Sequence, residues 1–213
     1  MFYCPYANTT DYFCRGMQMS SCIRVFHASP NSPAVDVYAN GNLIVKNLAY
    51  KELSQYLPVP PGNYNIKVYP SGQMTKPVIN TNVFIPKNTV FNVAAIGTLP
   101  NISLLPIPEP ITANNSGKAC VRLVHLSPNA PAVDITLADG TKVFNNIPYK
   151  DITDYVYVPR GTYTFKVSPT GTDNIVLTVP NVKLNSNNYY TIYAVGLASK
   201  SPPLEVIAVP EPR

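Results

Sequence analysis

Residues 22–38 read CIRVFHASPNSPAVDVY, and residues 120–136 read CVRLVHLSPNAPAVDIT. The two stretches share a cysteine, an arginine, a histidine, a Ser-Pro-Asn-x-Pro core and a Val-Asp pair in the same order. The match continues downstream. LAYK at Leu48 answers IPYK at Ile147, VPPGNYNIKVYPSG at Val59 answers VPRGTYTFKVSPTG at Val158, and FNVAAIG at Phe91 answers YTIYAVG at Tyr190. The offset is 98 residues at first and 99 afterwards, so one extra residue enters the second copy near Thr136, before Asp139-Gly140. A period this long marks a duplicated domain rather than a solenoid unit.

The run LPIPEPITANNSGKAC, rich in proline and then in asparagine, serine and glycine, reads as the connection. The expected organisation is a tail at 1–21, a first domain at 22–108, a linker at 109–116 and a second domain at 117–213. Each copy is near the size of a seven-strand sandwich.

Composition favours strands. The 213 residues include 23 prolines and 15 tyrosines, only 13% are charged, and no window of helical periodicity stands out. In GNYNIKVYP, Tyr64, Ile66 and Val68 alternate with Asn65 and Lys67; in GTYTFKVSP, Tyr163, Phe165 and Val167 alternate with Thr164 and Lys166. That period of two predicts a strand with one face in the core. Tyr64 and Tyr163 each follow a turn glycine by two residues, a placement that lets the hydroxyl return to nearby backbone as in a tyrosine corner. Asn40-Gly41 and Asp139-Gly140 predict two-residue hairpin turns, because both residues tolerate positive φ. The fold class expected is all-β, with two tandem immunoglobulin-like (Greek-key) β-sandwich domains.

The pattern R-x-x-H-x-S-P-x-x-P-x-V-D, followed by a hairpin glycine and V-P-x-G-x-Y, is carried by Arg24, His27, Ser29, Pro30, Pro33, Val35, Asp36, Gly41 and Tyr64. Arg122, His125, Ser127, Pro128, Pro131, Val133, Asp134, Gly140 and Tyr163 carry it again. It resembles the bacterial domain-of-unknown-function family 4397. The resemblance covers both copies and not the tail. It implies immunoglobulin-like or transthyretin-like sandwiches, common in envelope and secreted bacterial proteins, and it implies no activity. An address at the cell surface or outside the cell follows from it.

The motif holds a histidine, a serine and an aspartate, so catalysis has to be weighed. On an extended strand, Ile23, Val25 and His27 share one face, while Cys22, Arg24 and Phe26 share the other, read as the outer face. Val121, Leu123 and His125 repeat the inward set. Val35 and Val37 point inward and Asp36 outward, so histidine and aspartate face opposite ways. A Ser-His-Asp relay needs the histidine bonded to both partners at once. Ser29 and Ser127 lie two residues from their histidines, with no glycine elbow beside them. The structural reading is that Ser-Pro-Asn-x-Pro forms an arch fixed by its prolines. The histidine is then expected to lock buried backbone of the arch, and the aspartate to accept backbone N–H groups of the arch or to pair with Arg24. One histidine and one carboxylate per domain are too few for a metal site, and no cofactor is expected.

Cys4, Cys14, Cys22 and Cys120 lack C-x-x-C spacing and are candidates for disulfides, with three pairings possible among four. The net charge of +5 is scattered without a basic run, which argues against nucleic acid as a partner. No apolar run approaches a membrane span, and MFYCPYANTTDYFCRG does not read as a signal peptide. The function expected is a non-enzymatic structural or binding module of a bacterial envelope or other external layer, its partner an envelope protein or a polysaccharide. A hydrolase using the His/Ser/Asp set is the alternative. A carbohydrate-binding module is a third reading, which needs exposed tyrosines such as Tyr3, Tyr6 and Tyr12 arranged in a plane.

Overall fold

In the computed structural model, residues 20–211 are described. They contain sixteen strands and no helix, and they divide into two compact units between Ile111 and Thr112. The first unit holds β1 (Ser21–His27), β2 (Val35–Ala39), β3 (Asn42–Leu48), β4 (Leu57–Val59), β5 (Gly62–Pro70), β6 (Ile79–Ile85), β7 (Val90–Thr98) and β8 (Asn101–Glu109). They form two four-stranded sheets, ordered β4-β1-β7-β8 and β3-β2-β5-β6. The second unit repeats this with β9 (Ala119–His125), β10 (Val133–Leu137), β11 (Lys142–Ile147), β12 (Val156–Val158), β13 (Gly161–Pro169), β14 (Leu177–Leu184), β15 (Tyr189–Val195) and β16 (Glu205–Glu211). Its sheets run β12-β9-β15-β16 and β11-β10-β13-β14. Each unit is a β-sandwich of the immunoglobulin-like class, with the chain passing repeatedly from one sheet to the other.

In each unit the first strand runs parallel to the seventh, Val25 opposite Val93 and Leu123 opposite Ile192. The core lies between the sheets. Val25, Val35, Val37, Ile66 and Val68 pack together in the first unit, and Leu123, Val133, Ile135, Phe165 and Val167 in the second. Alternation in β5 and β13 follows the sequence pattern, with Ile66, Val68, Phe165 and Val167 buried. The tyrosine corners form: Tyr64 and Tyr163 donate their hydroxyls to the carbonyls of Pro60 and Pro159, at 2.8 and 2.7 Å.

Three expectations are corrected. The first concerns β1 and β9, in which every residue is buried on both faces. Cys22, Arg24 and Phe26 therefore do not form a solvent face; alternation identifies two faces but cannot tell that the second is covered as well. The second concerns the hairpin turns. Asn40 and Gly41 both take positive φ, 49° and 83°, in a two-residue turn. In the second unit only Gly140 does, at 89°, and residues 138–141 make the loop, with the Gly140 N–H donating to the Leu137 carbonyl. The extra residue of the second copy converts a two-residue turn into a longer one closed by a left-handed glycine. The third concerns the edges of the domains: Ser21 opens β1, and Glu109 is the last residue of β8, buried rather than in a linker.

Candidate functional site

The segment between β1 and β2 crosses from one sheet to the other, and the histidine sits where it starts. His27 and His125 are buried. His27 Nε2 lies 3.0 Å from the Pro33 carbonyl and His125 Nε2 lies 3.2 Å from that of Pro131. A proline carbonyl only accepts, so Nε2 carries the proton. Nδ1 then accepts from the backbone N–H of Ser29 at 3.4 Å, or of Ser127 at 3.3 Å. Each imidazole thus ties the first residues of the arch to its last proline, with both nitrogens engaged. Burial holds both pKa values below 6.5, in keeping with a neutral ring.

The backbone of the histidine is held from the other side. His27 N–H donates to the Glu52 carbonyl and its carbonyl accepts from Lys51; His125 does the same with Asp151 and Lys150. The preceding tyrosines, Tyr50 and Tyr149, meet the imidazoles edge-on at 6.1 and 6.3 Å.

Ser29 and Ser127 do not face the histidines through their hydroxyls. Their Oγ atoms donate to the carbonyls of Gly97 and Gly196 at 2.7 and 2.8 Å. These glycines have φ near 90°, and a Cβ on either would run into a backbone carbonyl, of Asn101 or of Pro203. Their residues were visible in the repeats FNVAAIG and YTIYAVG, but nothing local tied them to the serines.

Asp36 and Asp134 anchor a different feature. Lys46 and Asn47 bulge opposite Asp36, and Asn145 and Asn146 opposite Asp134, with Asn47 and Asn146 at positive φ. Asp36 accepts from Asn47 N–H at 2.7 Å, Gly72 N–H at 3.0 Å and Ser71 Oγ at 3.1 Å. Asp134 accepts from Asn146 N–H at 2.8 Å, Lys142 Nζ at 2.9 Å and Thr170 Oγ1 at 3.0 Å. Burial works to raise the Asp36 pKa, but its hydrogen bonds outweigh that and lower it. For Asp134 the Asn146 N–H and Lys142 lower it to about 2. The carboxylates therefore clasp the bulge to the following turn, not the arch.

Nor do they pair with the arginines. Arg24 donates to Glu109 at 2.8 Å, and Arg122 to Glu211 at 2.8 Å, all four side chains being buried. Tyr56 and Tyr155 lie under the guanidinium groups, at 4.8 and 4.7 Å, and give their hydroxyls to the same glutamates at 2.5 Å. Arg122 also donates to Thr191 Oγ1 at 2.8 Å, and Thr191 in turn to Glu211. Glu109, Glu211, Tyr56 and Tyr155 were missed. The signal available was the tripeptide Pro-Glu-Pro, present at 108–110 and again at 210–212.

The serine, histidine and aspartate of each motif thus make separate contacts and do not assemble a relay. Among the described residues no three His, Cys, Asp or Glu side chains gather as metal ligands, and no helix is long and apolar enough to cross a membrane. Cys22 is disulfide-bonded. Cys120 is a free, buried thiol, which removes it from the disulfide candidates. Cys4, Cys14, Tyr3, Tyr6 and Tyr12 lie outside the described residues. Of the described tyrosines only Tyr157 is exposed.

Comparison with known proteins matches the model of a domain of unknown function, DUF4397, to residues 21–136 and 134–212. No curated protein matches. Among solved structures, the C-terminal domain of AlgF from P. aeruginosa is similar at 18% identity over 45% of this chain and 100% of its own, with a TM-score of 0.36. CBMbc, of family CBM26, from Eubacterium rectale Amy13K in complex with maltoheptaose is similar at 10% identity over 90% and 96%, with a TM-score of 0.28. Likenesses this loose carry no functional assignment.

Proposed function

From the premise that this chain belongs to the family of domains of unknown function DUF4397 and carries the domain twice, we propose that it is a non-enzymatic structural or binding module of a bacterial cell envelope or another external layer. The observation that carries this reading is how the repeated polar residues are used. In both copies the histidine, serine and aspartate make hydrogen bonds within their own domain, and the histidine's bond to a proline carbonyl, the serine's to a glycine carbonyl and the aspartate's to the bulge N–H recur in each. A group poised for turnover presents a free lone pair or hydroxyl to a cleft; these groups close an arch and clasp a bulge. Two copies of one fold need the same fastenings, so duplication favours a structural role for the motif.

The external address is supported by Cys22. Disulfides form and persist in oxidising compartments and are rare where thiols are kept reduced. Thiol trapping on cells expressing the full chain tests it. Cys22 recovered oxidised agrees with an external layer, and Cys22 recovered as a trapped thiol overturns that address. A hydrolytic turnover abolished by Ser127→Ala in a protein that still folds overturns the non-enzymatic reading.

A further inference from the structure

Because the two domains are copies, each position in one is a control for the other. Between the sheets of the first domain lies a cavity of about 190 Å³ walled almost wholly by carbon. At four of the lining positions the second domain carries a larger side chain. Leu123 stands for Val25, Ile135 for Val37, Phe165 for Ile66 and Ile192 for Val93, and all four larger residues are buried in one cluster.

The cavity reaches the surface along the edge strands β6 and β8. Thr81 lies on the inward face of β6, opposite Ile66, yet it is exposed, and Leu104 on β8 is only half-buried. Their counterparts Val179 and Val206 are 5% and 4% exposed. Phe84, 64% exposed, also lines the cavity and stands at this open side.

The geometry points to a binding site for the apolar tail of a small amphiphile between the sheets of the first domain. Protein interiors are close-packed, and an apolar void stays dry. A cavity of about 150 Å³ is enough for one aromatic ring, so the space here holds a short alkyl chain. The polar end of such a ligand lies at the open side beside Phe84, where solvent reaches. Nothing polar in the walls would fix a ligand that is polar throughout. This inference goes beyond the module reading and is independent of the external address, because it stands on the cavity alone.

The test uses the full chain and octanoate below its micelle concentration, with benzene as a probe lacking a head group. Binding is read by methyl NMR and by the rise in melting temperature. Octanoate is expected to shift the methyl signals of Val25, Val93 and Leu104 and to leave those of Leu123 and Ile192 unmoved. Val37→Ile/Ile66→Phe copies the second domain into the first at two lining positions and is expected to bind octanoate at least about tenfold more weakly. Val25→Leu fills less of the space and serves if the double variant does not fold. Binding of benzene without octanoate overturns the amphiphile. Absence of both, or undiminished binding by a folded filled variant, overturns the site.

Discussion

Arg24 and Glu109 stand 85 residues apart in the chain and meet at 2.8 Å with both side chains buried. Arg122 and Glu211 repeat the pair across 89 residues, again at 2.8 Å. In each domain this joins the first strand to the last strand of the same sheet, across the seventh strand between them. Burying two charges is costly, and the tyrosine hydroxyl and ring at each pair supply part of the compensation. Removing one partner is far worse than removing both. Glu211→Ala is expected to lower stability by about 3–5 kcal/mol, because the Arg122 charge is left without its carboxylate. The double variant Arg122→Met/Glu211→Leu should recover most of that. Urea unfolding of the three proteins reads it out; a single variant as stable as the parent would show that the pair is not desolvated.

Gly196 gives a prediction of another kind. At φ 88° with the Pro203 carbonyl against it, the position has no room for a Cβ and a backbone conformation that side chains disfavour. Its carbonyl also holds Ser127 Oγ. Gly196→Ala should displace the backbone, release the serine and lower the melting temperature more than Gly171→Ala. Gly171 also has positive φ, but a Cβ there meets nothing. Equal losses in the two variants would mean that φ alone matters and that the close approach does not.

How far the sequence could be read depended on sequence distance. The strand alternation around Ile66 and Phe165, the Asn40-Gly41 turn and the tyrosine corners are local patterns, the repeat emerges from comparing the chain with itself, and each was legible. The arch was legible too, because His125 and Pro131 are six residues apart. The glutamates were not, since their arginines lie on a strand at the other end of the domain. Glu109 was further hidden in a proline-rich run that reads as a linker. Burial on both faces of β1 could not be seen either, because alternation carries no information about what covers the second face. Asp36 was placed on the right side of its strand but given the wrong partner: the bulge at Asn47 exists only once β2 and β3 have paired.

Asp134 sets a stability loss in strong acid. Its carboxyl is held at about 2, against an ordinary 3.8, mainly by the Asn146 N–H and Lys142. Above 3.8 the aspartate is ionised in both folded and unfolded chains and its contribution is complete. As pH falls from 3.8 towards 2, the unfolded chain takes up the proton first and that contribution is lost. Asp134→Asn should therefore be less stable at neutral pH and show a shallower decline below pH 4. Lys142 is 59% exposed, so raising the salt concentration should change little if the backbone N–H carries most of the interaction. A strong salt dependence would move the weight to the lysine.

The histidines act in a separate window. Burial lowers the pKa of His27 and His125 below 6.5, and the Pro33 and Pro131 carbonyls only partly offset it. Above 6.5 the ring is neutral in both states, so protonation adds nothing. Below 6.5 the unfolded chain binds the proton and the folded ring does not, so stability falls with pH until the folded pKa is reached. Protonation would also cost Nδ1 its role as acceptor for the Ser127 N–H. His125→Ala is expected to cost about 1–3 kcal/mol at pH 7, where the loss is that of the buried hydrogen bonds alone. Between pH 6.5 and 5 its stability should fall less steeply than the parent's, because one of the two titrating rings has gone. Unfolding curves at pH 7 and pH 5 for both proteins decide it. A variant as stable as the parent at pH 7 would show that the ring does not fasten the arch, and an unchanged slope would show that it is not held neutral by burial.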